Sequence, residues 1–160
     1  MDLAVPDIRL AAPADAAGIA ALSRDYVESG LGWNWGPGRV LRSIYERSSN
    51  VAVIAEYTAI LGFGIMQYGD DGAHLALLAV HPQHRNRGLG SLLMGWLEKP
   101  ARVAGLVRIR LEARADNALA IGFYQRRGFS SAGRIAGYYQ GRVDAVRLEK
   151  PLGIISSTQR

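Results

Sequence analysis

Residues 75–97 constrain the fold more tightly than any other stretch of the chain. Leu75, Leu77, Leu78 and Val80 form an apolar run. The turn His81-Pro82-Gln83-His84-Arg85-Asn86-Arg87-Gly88-Leu89-Gly90 follows, and then Leu89, Leu92, Leu93, Trp96 and Leu97 recur at helical spacing. A strand, a basic glycine turn and a helix therefore occur in that order. This order turns the unpaired N–H groups of the helix's first turn, together with arginine charge, toward an anion. The glycine spacing is Arg-x-x-Gly-x-Gly. That is neither the dinucleotide fingerprint nor the Gly-Lys-Ser/Thr of a nucleotide-hydrolysing loop. A tight turn with solvated arginines is the competing reading; the flanking elements favour a phosphate or pyrophosphate site.

The other elements follow from periodicity and punctuation. Ile8–Leu10 reads as a strand, and a helix opens at Pro13 with Ile19, Leu22 and Tyr26 on its apolar side. Residues 28–38, rich in glycine, read as a loop, and residues 39–46 as a second helix. Strands are expected at 51–56, 61–68, 73–80 and 106–112. A helix is expected from near Arg87 toward Arg102, with Pro100 kinking or shortening it. A last helix, 117–126, ends at Gly128. Phe129 and residues 143–148 supply the final strands, with Gly137-Tyr138-Tyr139-Gln140-Gly141-Arg142 as a loop between them. Neither repeats nor an internal linker are visible. One mixed α/β domain over residues 1–152, with a loose tail at 153–160, is the expected organisation.

Composition narrows the function. The chain has 160 residues, 49% of them hydrophobic, enough for one domain with a sizeable core. No run approaches the roughly 18 apolar residues of a membrane span, and residues 1–7 lack a signal-peptide pattern. A cytoplasmic location without a membrane partner is the expectation. With no cysteine and three dispersed histidines, no metal site is expected. The net charge of +5 permits nucleic-acid binding, but the arginines are spread along the chain, so no stable nucleic-acid partner is expected.

A second segment carries the argument further. Asn117, Ala120, Ile121 and Tyr124 fall on one helical face, and Gly128-Phe129 closes that helix. Val80-x-Pro82-x-x-Arg85-x-x-Gly88-x-Gly90, followed by Asn117-x-x-Ala120-x-x-x-Tyr124-x-x-x-Gly128-Phe129, resembles the GNAT superfamily of acetyl-CoA-dependent N-acetyltransferases. Leu111-Glu112-Ala113-Arg114-Ala115-Asp116-Asn117 resembles the ribosomal-protein N-terminal-alanine acetyltransferase subgroup. The resemblance implies a GNAT-like fold: a mostly antiparallel, splayed sheet of six to seven strands flanked by about four helices. It implies acetyl-CoA as cosubstrate. The implied cofactor-binding residues are Leu78, Ala79, Val80, Arg85, Asn86, Arg87, Gly88, Leu89, Gly90, Ser91, Asn117, Ala120, Phe123 and Tyr124. Backbone groups at Leu78 and Val80 would pair with the pantetheine arm, the turn would bind the pyrophosphate, and Tyr124 would sit near the thioester sulfur.

Transfer to an amine requires a neutral nucleophile, a polarised carbonyl and a donor for the departing thiolate. Without cysteine, a cysteinyl acyl-enzyme is impossible, and the resemblance implies direct attack in a ternary complex. Tyr124 is the candidate general acid; a packed core tyrosine is its alternative. Glu112 is the candidate base, directly or through water, with a raised pKa if partly buried; an ion pair with Arg110, Arg114 or another arginine is its alternative. The strand 73–80 has no carboxylate, and His74 is a second candidate base. Trp33 and Trp35 could form an apolar wall for the acceptor or could cap the core. Tyr138 and Tyr139 could close over the acceptor, and Arg142 could attract a carboxylate. The acceptor would be a small amine, an amino-acid-like molecule or a peptide N-terminus, and the chain a monomer or homodimer. A non-catalytic acyl-CoA sensor, a nucleic-acid module and a nicotinamide oxidoreductase are the readings from other classes. The glycine spacing disfavours the last of these.

Overall fold

Residues 6–153 are described by the computed structural model, and within them lie seven strands and four α-helices. The strands are β1 (Asp7–Leu10), β2 (Ser49–Glu56), β3 (Ala59–Tyr68), β4 (Gly72–Val80), β5 (Arg108–Arg114), β6 (Ser130–Tyr139) and β7 (Val143–Pro151). The helices are α1 (Ala16–Leu22), α2 (Pro37–Tyr45), α3 (Leu89–Val103) and α4 (Ala118–Arg126). The strands form one sheet in the order β1-β2-β3-β4-β5-β7-β6. Pairing is antiparallel from β1 to β2 and β2 to β3, and again from β5 to β7 and β7 to β6. β4 and β5 run parallel, through Gly72–His74 against Arg108–Arg110. The mixed α/β architecture expected from the sequence is thus realised. From residue 154 onward, the expected tail lies outside the described residues.

The described residues fall into two compact units, 6–67 with 76–99 and 68–75 with 100–153. In the first, α1, α2 and the inner faces of β2 to β4 share a core of Ile19, Val40, Val53, Phe63, Ile65 and Leu77. On the opposite face of β3, α3 lies unusually close. A Cβ on Gly64 would stand 2.7 Å from Leu97 Cδ1 and 3.1 Å from Leu78 Cδ1. The missing side chain is what lets Leu97 of α3 seat against the strand, and Gly62 does the same for Leu93, whose Cδ1 would lie 3.3 Å from a Cβ there. Pro100 leaves α3 running to Val103, so the helix is not shortened there as expected. Proline removes a single N–H, and the preceding turns are held by buried Leu93, Met94 and Leu97.

In the second unit, β5 alternates as its sequence predicts. Ile109, Leu111 and Ala113 are buried, while Arg108, Arg110, Glu112 and Arg114 point to the other face. Helix α4 ends in a Schellman turn: Phe129 N–H donates to Tyr124 O at 3.1 Å, Gly128 N–H donates to Gln125 O at 3.1 Å, and Gly128 has φ +98°. The sequence expectation is corrected at residues 137–139: β6 runs the full ten residues from Ser130 to Tyr139, so Gly137, Tyr138 and Tyr139 belong to a strand and not to a loop. Gly137 and the residues after it read locally as loop. The β7 ladder overrides that propensity, with register shifts at Ser131/Gly133 and Ile135/Tyr139 absorbing the glycines.

Candidate active site

The basic turn lies in the first unit. His81 leaves β4, and its Nδ1 accepts the Gln83 N–H at 3.2 Å, capping a single turn of 3₁₀ helix at Pro82–His84. Asn86 (φ +63°) and Gly88 (φ +76°) both adopt the left-handed conformation just before α3. Such alternation turns successive N–H groups to one side, the geometry of an anion nest. A Cβ placed on Gly88 would meet no heavy atom within 4 Å. The glycine is therefore required by its backbone angle, and the space beside it is open. Within α3, the first hydrogen bond back to the turn is Leu92 N–H to Gly88 O at 3.0 Å. The N–H groups of Leu89, Gly90 and Ser91 precede it and face the nest without carbonyls four residues earlier inside the helix. Arg85 Nε folds back to Val80 O at 3.4 Å, and Arg87 Nη1 donates to His84 Nδ1 at 2.9 Å. Positive charge, left-handed backbone and an open cradle fit a pyrophosphate.

A side-chain cluster occupies the second unit. Glu112, nearly buried on β5, accepts at Oε1 from His74 Nε2 of β4 at 2.7 Å and at Oε2 from Arg147 Nε of β7 at 3.3 Å. The Tyr138 hydroxyl donates to Oε1 at 3.4 Å, and the Tyr139 hydroxyl donates to the Glu112 carbonyl at 3.0 Å. Consecutive strand residues normally point to opposite faces. Both tyrosines reach Glu112 because Gly137 is left-handed (φ +62°) and β6 shifts register before Tyr139, and their rings meet edge-on at 4.9 Å.

The electrostatics correct one expectation. Burial pushes the Glu112 carboxyl up, as anticipated, but hydrogen bonding and charge from His74 and Arg147 outweigh it, so the carboxyl titrates below its ordinary value. Glu112 is a held carboxylate rather than a carboxylic acid poised near neutrality. Tyr124 behaves oppositely. Buried against Phe123 and Phe129, at ring separations of 5.2 and 5.6 Å, its phenol is raised far above the ordinary value by burial, with a further contribution from Tyr139. Tyr139 is raised in the same way by burial and by Tyr138 and Glu112.

The remaining predicted residues have distinct placements. Asn117 caps α4, its Oδ1 accepting the Ala120 N–H at 3.1 Å, so Asn117 and Ala120 organise the start of the helix that carries Phe123 and Tyr124. Trp35 lies in the core of the first unit, 8% exposed, beneath the Arg39 guanidinium at 3.8 Å. Trp33 is 46% exposed, donates its Nε1–H to Ala20 O at 3.2 Å, and faces Arg24. Two participants were not read from the sequence. Arg147 faces Glu112 only because of the β5–β7 register. Glu28, buried, accepts from Ser23 Oγ and from the N–H groups of Asn34 and Trp35, tying down the tryptophan loop. Its position at the edge of a glycine-rich loop was the only available signal. Among the described residues no cluster suited to a metal ion occurs, and no helix is long and apolar enough to cross a membrane.

A sheet of this order, with an anion nest between its fourth strand and third helix, defines an acyl-CoA-dependent transferase class. The model of the acetyltransferase (GNAT) family matches residues 19–129, and the chain belongs to that family of acetyl-CoA-dependent acetyltransferases. It is 36% identical over 112 residues to the [ribosomal protein bS18]-alanine N-acetyltransferase of Salmonella typhimurium strain LT2, a match covering 68% of this chain and 75% of that protein. The Ard1 structure from Thermoplasma volcanium superposes with a TM-score of 0.77 at 26% identity, covering 92% of this chain and 97% of that one. The ribosomal-protein-S18-alanine N-acetyltransferase from Escherichia coli has the same fold, with a TM-score of 0.78 at 24% identity over 96% and 97% of the two chains.

Proposed function

We propose that this chain acetylates a primary amine by direct attack in a ternary complex, with the His74–Glu112 pair as proton acceptor and Tyr124 as donor to the leaving sulfur. The observation that carries the reading is the convergence of His74, Arg147, Tyr138 and Tyr139 on Glu112, in the same unit as the buried Tyr124 phenol. Acetyl-CoA supplies the acetyl group as an activated thioester. The Arg85–Ser91 turn holds its pyrophosphate, and backbone groups of Leu78–Val80 hold its arm. A carboxylate with a depressed pKa is a weak base alone. The His74 imidazole, 2.7 Å away, fixes the orientation of that carboxylate. Glu112 receives the amine proton as the N–C bond forms and becomes a neutral carboxylic acid, kept in place by its hydrogen bonds from His74 and Arg147. As the C–S bond breaks, Tyr124 donates a hydrogen bond to the thiolate. Its raised pKa suits it to hydrogen bonding rather than complete proton transfer. Tyr138 and Tyr139 line the acceptor side. The relatives named for N-terminal alanine support a peptide N-terminus as the acceptor, with a small amine or amino-acid-like molecule as the alternative.

The test is CoA release from acetyl-CoA across amines, polyamines, amino acids and peptides with free N-termini. In Tyr124→Phe, kcat should fall about 10²-fold or more, with KM for acetyl-CoA nearly unchanged. Tight CoA binding without turnover on any acceptor would replace this reading with a sensor.

A further inference from the structure

The open face of β5 and β7 carries arginines whose states differ. Arg108 reaches Asp71 at 3.4 Å, Arg114 holds Asp116 at 3.1 Å, and Arg147 reaches Glu112 at 3.3 Å. Arg110 lies between Arg108 and Glu112 on the same face and is exposed. Glu149 is its register partner across the ladder, yet among the described residues Arg110 closes no ion pair. Its field still reaches the candidate acceptor wall. The Tyr138 phenol is raised by burial and by Glu112, and Arg147 and Arg110 oppose that rise. Arg110 is therefore an exposed guanidinium, without an ion pair among the described residues, one strand repeat from Glu112 on the same face.

The spacing selects a ligand. Residues i and i+2 of a strand share a face and lie about 6.6 Å apart. In an extended peptide, the terminal amine and a carboxylate on the second side chain are separated by roughly 6–8 Å, because consecutive Cα atoms are about 3.8 Å apart. An α-amino acid's own carboxylate is much closer to its amine. We propose that the acceptor is a peptide amino terminus with Asp or Glu in the second position, its amine beside the His74–Glu112 pair and its side-chain carboxylate on Arg110. This rests on the acetyl-transfer reading above and adds the substrate class. A planar guanidinium can take a carboxylate through two parallel N–H bonds. A lysine or arginine in the second position would instead meet Arg110 and Arg147 as like charges.

Three peptides that differ only in a second residue of Glu, Gln or Lys test the assignment. Each is assayed for kcat/KM with acetyl-CoA and the native protein, R110Q and R110E. The native protein should favour Glu over Gln by about fivefold, the scale of one half-exposed ion pair, and Gln over Lys. The preference should shrink as salt rises, the Glu-to-Gln ratio should collapse toward one in R110Q, and R110E should favour Lys. Equal native rates on the three peptides overturn this inference and leave acetyl transfer standing, as does the native order surviving in both variants. Absence of transfer to every peptide, with a small amine acetylated, also overturns it. Absence of transfer to any amine overturns the acetyl-transfer reading itself. A native dimer that R110E dissociates, with peptide preference unchanged, would assign the face to a second copy of the chain and overturn the proposal.

Discussion

The turn after β4 and the cluster around Glu112 are built from different materials. The turn is made of backbone: left-handed angles at Asn86 and Gly88, a single 3₁₀ turn, and the exposed N–H groups that begin α3. Everything it needs lies within about a dozen consecutive residues. The Glu112 cluster is made of side chains drawn from β4, β5, β6 and β7, with partners 26 to 38 residues away in sequence. A backbone site tolerates change in side-chain identity but not in φ. A side-chain site tolerates loop changes but fails when one partner is lost, since a nearly buried carboxylate then lacks its compensation. The contrast predicts where each region breaks.

The largest effect after loss of the Tyr124 hydroxyl is expected at Glu112. Glu112→Gln keeps the shape and removes the charge, so kcat should fall about 10²-fold and stability by about 2 kcal/mol, read by steady-state kinetics and urea unfolding. If activity falls while stability is unchanged, the carboxylate is catalytic without holding the strands. If only stability falls, it is a structural ion pair.

The pH dependence of stability sharpens the same point. The Glu112, Asp15 and Asp144 carboxyls all titrate below their ordinary values in the folded chain. For Glu112 burial works against the shift and the His74 and Arg147 interactions produce it; for Asp15 the Arg9 hydrogen bond leads; for Asp144 the Gly137 N–H leads. Carboxyls depressed by folding contribute stability that is complete above their unfolded values, about 3.9 to 4.3. That stability is lost as pH falls through the lower folded values. Melting temperature should therefore hold steady from pH 7 to about 5 and decline below about 4, less steeply in Glu112→Gln. An unchanged slope in that variant would remove Glu112 from the set.

A smaller effect is expected at the turn. Gly88→Ala has room for its methyl but must hold φ +76°, at a cost of about 1 kcal/mol. KM for acetyl-CoA should rise several-fold with kcat little changed, the reverse of the Tyr124→Phe pattern. The smallest effect belongs to Trp33→Ala. A half-exposed indole with one 3.2 Å hydrogen bond should cost at most about 1 kcal/mol, and an acceptor wall predicts a higher acceptor KM without a change in that for acetyl-CoA.

These differences follow how much of each region could be read along the chain. The alternation of β5, the apolar entry into the turn and the glycine closing α4 are local patterns, and each is realised. Residues 137–139 were misread because the glycines at 137 and 141 resemble loop until a partner strand supplies the ladder. Trp35 and Trp33, two residues apart in one loop, have unlike fates because Glu28 binds the Trp35 N–H and turns that ring inward, a contact no local pattern reveals. Arg147 was equally hidden, since it faces Glu112 through the β5–β7 register, and so was the depressed Glu112 titration, which depends on His74 of β4 and then on Arg147.

By itself the sequence determined the strand–turn–helix with its anion nest, the helix carrying Tyr124, the absence of any cysteine nucleophile and membership of the acetyltransferase class. These rest on backbone angles and short periodicities, which neighbouring residues dictate. Only the tertiary structure decided that Glu112 is a held carboxylate paired with His74, that Tyr138 and Tyr139 converge on it from a strand, and that Arg110, on the same face of β5, closes no ion pair among the described residues. Electrostatic state is set by the distance to charges and by exclusion of water, and neither exists until distant segments meet.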